Sequence, residues 1–133
     1  MRHGDTVPEE RDPTRPLSEK GRAEVEKTAR ALLKEKANVE EIWHSTKLRA
    51  KQTAEIIAQI LGIKNVIEKE GLKPNDPPAP IAELLKGANK NILIAGHMPF
   101  LGDLADLLGK KVEGFGSGEV VKVDLIDEKR RQI

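Results

Sequence analysis

The chain contains no cysteine and no tyrosine, and only one tryptophan and two phenylalanines. Without cysteine there is no disulfide framework and no thiol chemistry, and a cytoplasmic location is the expectation. An aromatic content of 2% leaves few platforms on which single-stranded bases could stack. Charge of one sign is also lacking: 23 Lys and Arg against 22 Asp and Glu give a net charge of +1. That balance gives no reason to expect nucleic acid or an anionic membrane as a partner. No apolar run approaches the ~20 residues of a membrane span, and no signal peptide is recognisable at the start.

What is present suits a folded domain. The sequence is 34% charged and 38% hydrophobic over 133 residues, enough for one core, so residues 1–133 are expected to form a single domain. Residues 4–16 hold Pro8, Pro13 and Pro16 and read as a loop. Ser18 suits a helix N-cap, and Val25, Ala29, Leu32 and Leu33 recur at helical spacing, predicting a helix over 19–36. Glu40–His44 reads as a short strand. Ser45 or Thr46 could cap a helix over 47–61, with Leu48, Ile56, Ile57, Ile60 and Leu61 inward and Gly62 as its stop. Val66-Ile67 suggests a brief strand, residues 71–80 a Pro-rich loop, and Ile81, Leu84 and Leu85 a short helix ending near Gly87. Ile92-Leu93-Ile94-Ala95 is the continuous apolar run of a parallel strand covered on both faces. Pro99 opens another helix, with Leu101, Leu104, Ala105 and Leu108 inward and Gly109 at its end. Val121, Val123 and Leu125 alternate with Lys122 and Asp124, which predicts a half-buried strand. Strands alternating with helices predict a three-layer α/β/α domain with a mostly parallel sheet.

Three segments carry chemistry. The first is Arg2-His3-Gly4. Arginine offers a planar fork of donors that fits a phosphate, neutral imidazole is a nucleophile, and glycine admits a sharp turn close to a ligand. The second runs from His44 through Ser45, Arg49, Gln52 and Thr53 to Ala54, and the third is Gly96-His97-Met98-Pro99. Each alone is unremarkable: a histidine after a strand is usually structural, and Arg49 on a helix would be a solvated charge like Lys47 and Lys51. In an open α/β sheet, however, ligands bind beyond the carboxyl ends of the strands, and His97 and Arg49 both follow predicted strands. Two arginines and two histidines on one rim would make a cationic pocket suited to a phosphoryl group. The same cations would repel a divalent metal, and no ligand spacing of the HExxH kind is present, so no metal and no other cofactor is expected.

Taken in order, these segments resemble the histidine phosphatase superfamily, of phosphoglycerate-mutase-like fold. Arg15-Pro16-Leu17-Ser18-Glu19-Lys20-Gly21 is similar to that family's entry to its first helix. The short length, Gly71–Pro77 and Gly96-His97-Met98-Pro99 look most like the small SixA-type phosphohistidine phosphatases. The resemblance implies a metal-independent phosphatase with His3 as covalent nucleophile. Arg2, Arg49 and His97, the last as imidazolium, would bind the phosphoryl oxygens, with Gly4 and Ser45 as further substrate contacts. Candidate general acids are Asp5 and Glu70, because Met98 stands where ester-cleaving relatives carry an aspartate. His44 and Thr46 also depart from the family pattern, replacing a serine and a proline. The expected substrate is a phosphohistidine on a phosphotransfer protein. Alternatives are a phosphatase of small phosphate esters such as sugar phosphates, a mutase, or a phosphate-binding module without catalysis. In the family an apolar strand runs into Arg-His-Gly, whereas only Met1 precedes Arg2. The expectation is therefore that the native frame extends upstream by about one short strand, or that a partner chain or Val120–Ile126 fills the slot.

Overall fold

The computed structural model describes residues 1–112, 114 and 116–125. In chain order the elements are α1 (Glu19–Lys34), β1 (Glu41–His44), α2 (Leu48–Leu61), β2 (Val66–Glu68), α3 (Ala79–Gly87), β3 (Ile92–Ala95) and α4 (Phe100–Leu107). The sheet has the order β2-β1-β3, and both pairings are parallel. Side chains alternate across it. Ile42, Leu93 and Ala95 face one core with Val25, Ala29, Ala54 and Ile57 of α1 and α2. Trp43 and Ile94 face a second core with Ile81 and Ala82 of α3 and Phe100, Leu101 and Leu104 of α4. The result is the three-layer arrangement, with β1 and the apolar β3 covered on both faces and β2 at the more exposed edge.

Local signals explain two helix ends. The Ser18 side chain accepts the Gly21 N–H and caps α1. Gly62 ends α2 in the left-handed conformation, with φ of 71°, which a residue without Cβ adopts freely. Three expectations need correction. Neither Ser45 nor Thr46 caps α2: the N-cap position is Lys47, with no side-chain cap. Leu48 and Leu33 were expected in the core but are 36% and 52% exposed. The alternating stretch 121–125 is not a strand; Val120 and Val121 pack as partly buried side chains instead. Ile126 lies outside the described residues.

The slot beside β3 is taken by Met1–His3 rather than by Val120–Ile126. Arg2 forms an isolated parallel bridge with Gly96. Gly96 N–H donates to the Met1 carbonyl at 2.9 Å, and His3 N–H donates to the Gly96 carbonyl at 3.0 Å. The Met1 amino group donates to the Ile94 carbonyl at 2.6 Å. On the far side, Arg2 N–H donates to Glu119 and Gly118 N–H donates to Arg2 and His3. The backbone groups around the bridge are thus paired, as buried peptide groups must be.

Two glycines set the distance between this segment and α1. A Cβ on Gly21 would lie 1.9 Å from the Asp5 carbonyl oxygen, and one on Gly4 would lie 2.5 Å from that of Gly21. The backbone after His3 therefore rests directly on the first turn of α1.

Candidate active site

His3 and His97 follow the ends of neighbouring segments and meet edge to face, their ring centroids 5.1 Å apart. Both are buried, at 9% and 1% exposure. The His3 Nδ1 lies 2.7 Å from the Gly4 carbonyl. A carbonyl only accepts, so Nδ1 carries the hydrogen and Nε2 keeps its lone pair. Burial lowers the His3 pKa to about 4, with Arg49, Arg2 and Arg15 adding to the shift against the Gly4 bond. At neutral pH the ring is an uncharged base with one unprotonated nitrogen, the form a nucleophile needs.

His97 is expected as an imidazolium beside a phosphoryl group; without an anion the fold favours the neutral ring. Burial lowers its pKa to about 3, reinforced by Arg49, His3, Lys47 and Arg15. Without a compensating anion the ring is neutral; a phosphoryl group beside it would favour the charged form again. Its Nε2 is 2.6 Å from the Ser45 hydroxyl, which is itself fully buried and accepts the Lys47 N–H at 3.3 Å. Nδ1 of His97 and Nε of Arg49 are buried without a hydrogen-bond partner among the described residues.

Arg49 stands in the first turn of α2. That turn contains no acid and has no side-chain cap, although a helix N-terminus favours negative charge and disfavours Lys47 and Arg49. Burial, and next the charge of Arg15, lower the Arg49 pKa. Cations at the positive end of a helix are a placement that an anion would relieve.

The remaining candidates are placed less directly. Both backbone polar groups of Gly4 are engaged: its N–H donates to the Thr53 hydroxyl at 3.3 Å and its carbonyl accepts from His3. Asp5 follows on the same loop, but its carboxylate accepts the Ser18 hydroxyl at 2.8 Å. Glu70 is exposed on the turn after β2. His44 is buried, and its Nδ1 lies 2.8 Å from the Ser45 carbonyl. Among the described residues, no group of three or more His, Asp or Glu is placed to hold a metal ion.

Sequence reasoning missed the residues that brace this arrangement. The Thr53 hydroxyl accepts from Gly4 and donates to the Arg49 carbonyl at 2.8 Å, joining the first two motifs. Gln52 accepts the Leu17 N–H at 2.7 Å. Their membership of the Arg49–Ala54 run was the available signal. Glu24 accepts the Asp5 N–H at 2.9 Å and the Ser117 hydroxyl at 3.0 Å, and nothing in the sequence sets it apart from other acids on α1.

The two buried rings give stability a pH dependence. Their ordinary pKa is 6.5, against about 4 and about 3 in the fold. Above pH 6.5 neither folded nor unfolded chain carries these protons. As pH falls from 6.5 towards 3 the unfolded chain takes them up first, so stability is lost across that window. The melting temperature should fall between pH 6.5 and 4, less so in inorganic phosphate and less so for His3→Gln/His97→Gln. A variant slope equal to that of the parent would show that other groups are responsible.

Comparison with known proteins points the same way. A family model described as histidine phosphatase superfamily (branch 1) matches residues 1–75. No curated protein sequence matches the chain. Among solved structures, the protein histidine phosphatase SixA complexed with tungstate is similar, at 27% identity and a TM-score of 0.81, over 88% of this chain and 80% of that one. The SixA protein from Agrobacterium tumefaciens shares the fold, at 22% identity and a TM-score of 0.70, over 81% and 73% of the two chains. So does mycobacterial glucosyl-3-phosphoglycerate phosphatase, at 19% identity and a TM-score of 0.62, over 84% and 78%. The motif order, the parallel sheet with its paired histidines and the match over more than half its length lead to one conclusion: the chain belongs to the histidine phosphatase superfamily and is a phosphatase.

Proposed function

We propose that this phosphatase removes the phosphoryl group of a phosphohistidine on a phosphotransfer protein, through phospho-His3 and without metal, in the cytoplasm. His3 Nε2 donates its lone pair to phosphorus while the bond from phosphorus to the substrate's ring nitrogen breaks, and that nitrogen keeps the electron pair. Arg2, Arg49 and His97, charged once the anion is beside it, neutralise the equatorial oxygens. Water then attacks phospho-His3, giving phosphate and the free ring, and its proton passes to solvent.

One observation carries the choice of substrate: where the acids go. The Asp5 carboxylate is engaged by Ser18, and Glu70 is exposed and makes no hydrogen bond or ion pair among the described residues. Breaking an ester releases an alkoxide and calls for a positioned proton donor. A phosphohistidine protonated on its ring leaves as neutral imidazole and does not. The fold shared with glucosyl-3-phosphoglycerate phosphatase makes a small phosphate ester the second reading. Measuring kcat/KM for a phosphohistidine protein against sugar and glycerate phosphates decides between them, and a preference for an ester would put the second reading first. Activity should persist in excess EDTA; loss on chelation with recovery on adding Zn²⁺ or Mg²⁺ would overturn the mechanism.

A further inference from the structure

Ser45 stands between two buried histidines: its carbonyl meets one and its hydroxyl the other. It lies between β1 and α2 and is fully buried. The carbonyl is 2.8 Å from His44 Nδ1. A carbonyl only accepts, so that nitrogen carries a hydrogen and donates it. The hydroxyl oxygen accepts the Lys47 N–H at 3.3 Å and is 2.6 Å from His97 Nε2. Main chain and side chain of Ser45 are therefore both tied, and one hydroxyl hydrogen is left to place.

Where that hydrogen goes decides the state of His97. Among the described residues the Ser45 hydroxyl makes no other hydrogen bond. If Nε2 were the donor, the Ser45 hydrogen would be buried without an acceptor, which is the more costly arrangement. If the hydroxyl donates to Nε2, both groups are satisfied. The ring is neutral in the absence of an anion, and a neutral imidazole has one donor nitrogen and one acceptor. With Nε2 accepting, the ring hydrogen sits on Nδ1. That nitrogen is itself buried and has no partner among the described residues. Its ring stands 5.1 Å from the ring of His3, centroid to centroid. A buried N–H left unpaired beside the nucleophile marks a place for an acceptor from outside the protein.

We infer that Ser45 is a positioning residue of the phosphatase: its hydroxyl donates to His97 Nε2, and Nδ1 of that ring donates to an oxygen of the phosphoryl group. The inference rests on the phosphatase reading and deepens it. The hydroxyl is taken up by His97, so Ser45 acts through that ring, unlike the direct substrate contact that the resemblance implies. The opposite tautomer would turn a lone pair towards the phosphoryl oxygens and repel them. When the anion charges the ring, Nε2 becomes the donor and the hydroxyl turns to accept. The attraction between ring and anion offsets the displaced hydroxyl hydrogen, and the same contact holds the ring in both states. His44 belongs to this arrangement, because its bond to the Ser45 carbonyl fixes the turn from which the hydroxyl reaches His97.

The tautomer is read directly by ¹⁵N NMR at neutral pH in phosphate-free buffer, where ring nitrogens with and without hydrogen resonate far apart. The chain has three histidines, and His3→Gln and His97→Gln assign their signals. His97 should carry its hydrogen on Nδ1, and titrating inorganic phosphate should shift the signal of that nitrogen. Ser45→Ala should mix the two tautomers and raise the inhibition constant of phosphate. It should also lower kcat/KM about ten-fold to a hundred-fold, the scale seen when the group that orients a metal-ligating histidine is removed. Ser45→Thr keeps the hydroxyl and should restore the Nδ1–H form together with most of the activity. A merely structural serine would move the melting temperature and leave the tautomer of His97 as it was. If Ser45→Ala melts below the assay temperature, the tautomer of the parent and its response to phosphate decide. A parent ring with its hydrogen on Nε2, or an Nδ1 signal that inhibitory phosphate leaves in place, would overturn the inference. Phosphoenzyme formation at His3 is a separate readout. Its absence in the parent protein would sink the phosphatase mechanism, whereas its presence with an unaltered tautomer in Ser45→Ala would sink only the role of Ser45.

Discussion

Replacing His3 with alanine should remove turnover by about four orders of magnitude or more, the scale seen when a nucleophile is taken from a catalytic unit, and should eliminate phosphoenzyme. Nε2 of His3 is the unprotonated nitrogen of a buried neutral ring, because the Gly4 carbonyl fixes the hydrogen on Nδ1. Nothing beside it can substitute. His97 is engaged through Nε2 with Ser45. Inorganic phosphate or vanadate should still bind His3→Ala, since the arginines remain, and removing a buried ring from between cations costs the anion nothing. Rapid-quench labelling with phosphorylated substrate, together with inhibition by vanadate, separates chemistry from binding. Full activity in the variant would falsify the assignment.

Arg49→Ala should lower kcat/KM by about a thousand-fold or more, in line with the 10³–10⁵ attributed to an arginine that meets phosphoryl charge in the transition state. Its melting temperature should be unchanged or higher. Arg49 stands at the positive end of α2, with burial and Arg15 both acting against its charge, so the folded chain without ligand loses little by its removal. The hydrogen bond from Thr53 goes to the Arg49 backbone carbonyl and survives the substitution. Arg49→Lys should recover only a small part, because an ammonium cannot reproduce the planar fork. A variant that lost activity and melting temperature in proportion would identify Arg49 as a structural residue instead.

Much of this architecture was legible in the sequence where a local cause sets the outcome. Ser18 caps α1 because its hydroxyl reaches an N–H three residues on, and Leu93–Ala95 is buried because every side chain in it is apolar. The strand expected over 121–125 failed for a non-local reason. Alternation says which side chains share a face, but a strand also needs a free edge. Met1–His3 occupies the edge beside β3, and Glu119 meets Arg2 through a single backbone hydrogen bond. The missing cap on α2 has a similar origin: Ser45 was available by position but is buried against His97. That His97 is a neutral ring until an anion arrives was not legible, because the motif gives the residue type and not its burial. Glu24 and Gln52 act across 19 and 35 residues of chain, distances over which periodicity carries no information.

The back-to-back contact of Gly4 and Gly21 means that His3 is positioned by main chain resting on main chain. Side chains can repack when a neighbour changes, but two peptide planes in contact have no rotamers to adjust. A single methyl at position 21, 1.9 Å from the Asp5 oxygen, has to push the loop or the helix aside by more than an ångström. Displacement on that scale costs about a hundred-fold in rate even when every reacting group is still present. The outward face of α1, by contrast, can drift without the pocket registering it. The loop after His3 thus answers to a residue on α1, and a protein engineer who redesigned α1 for stability by the common exchange of helical glycine for alanine should lose most of the activity while the fold survives.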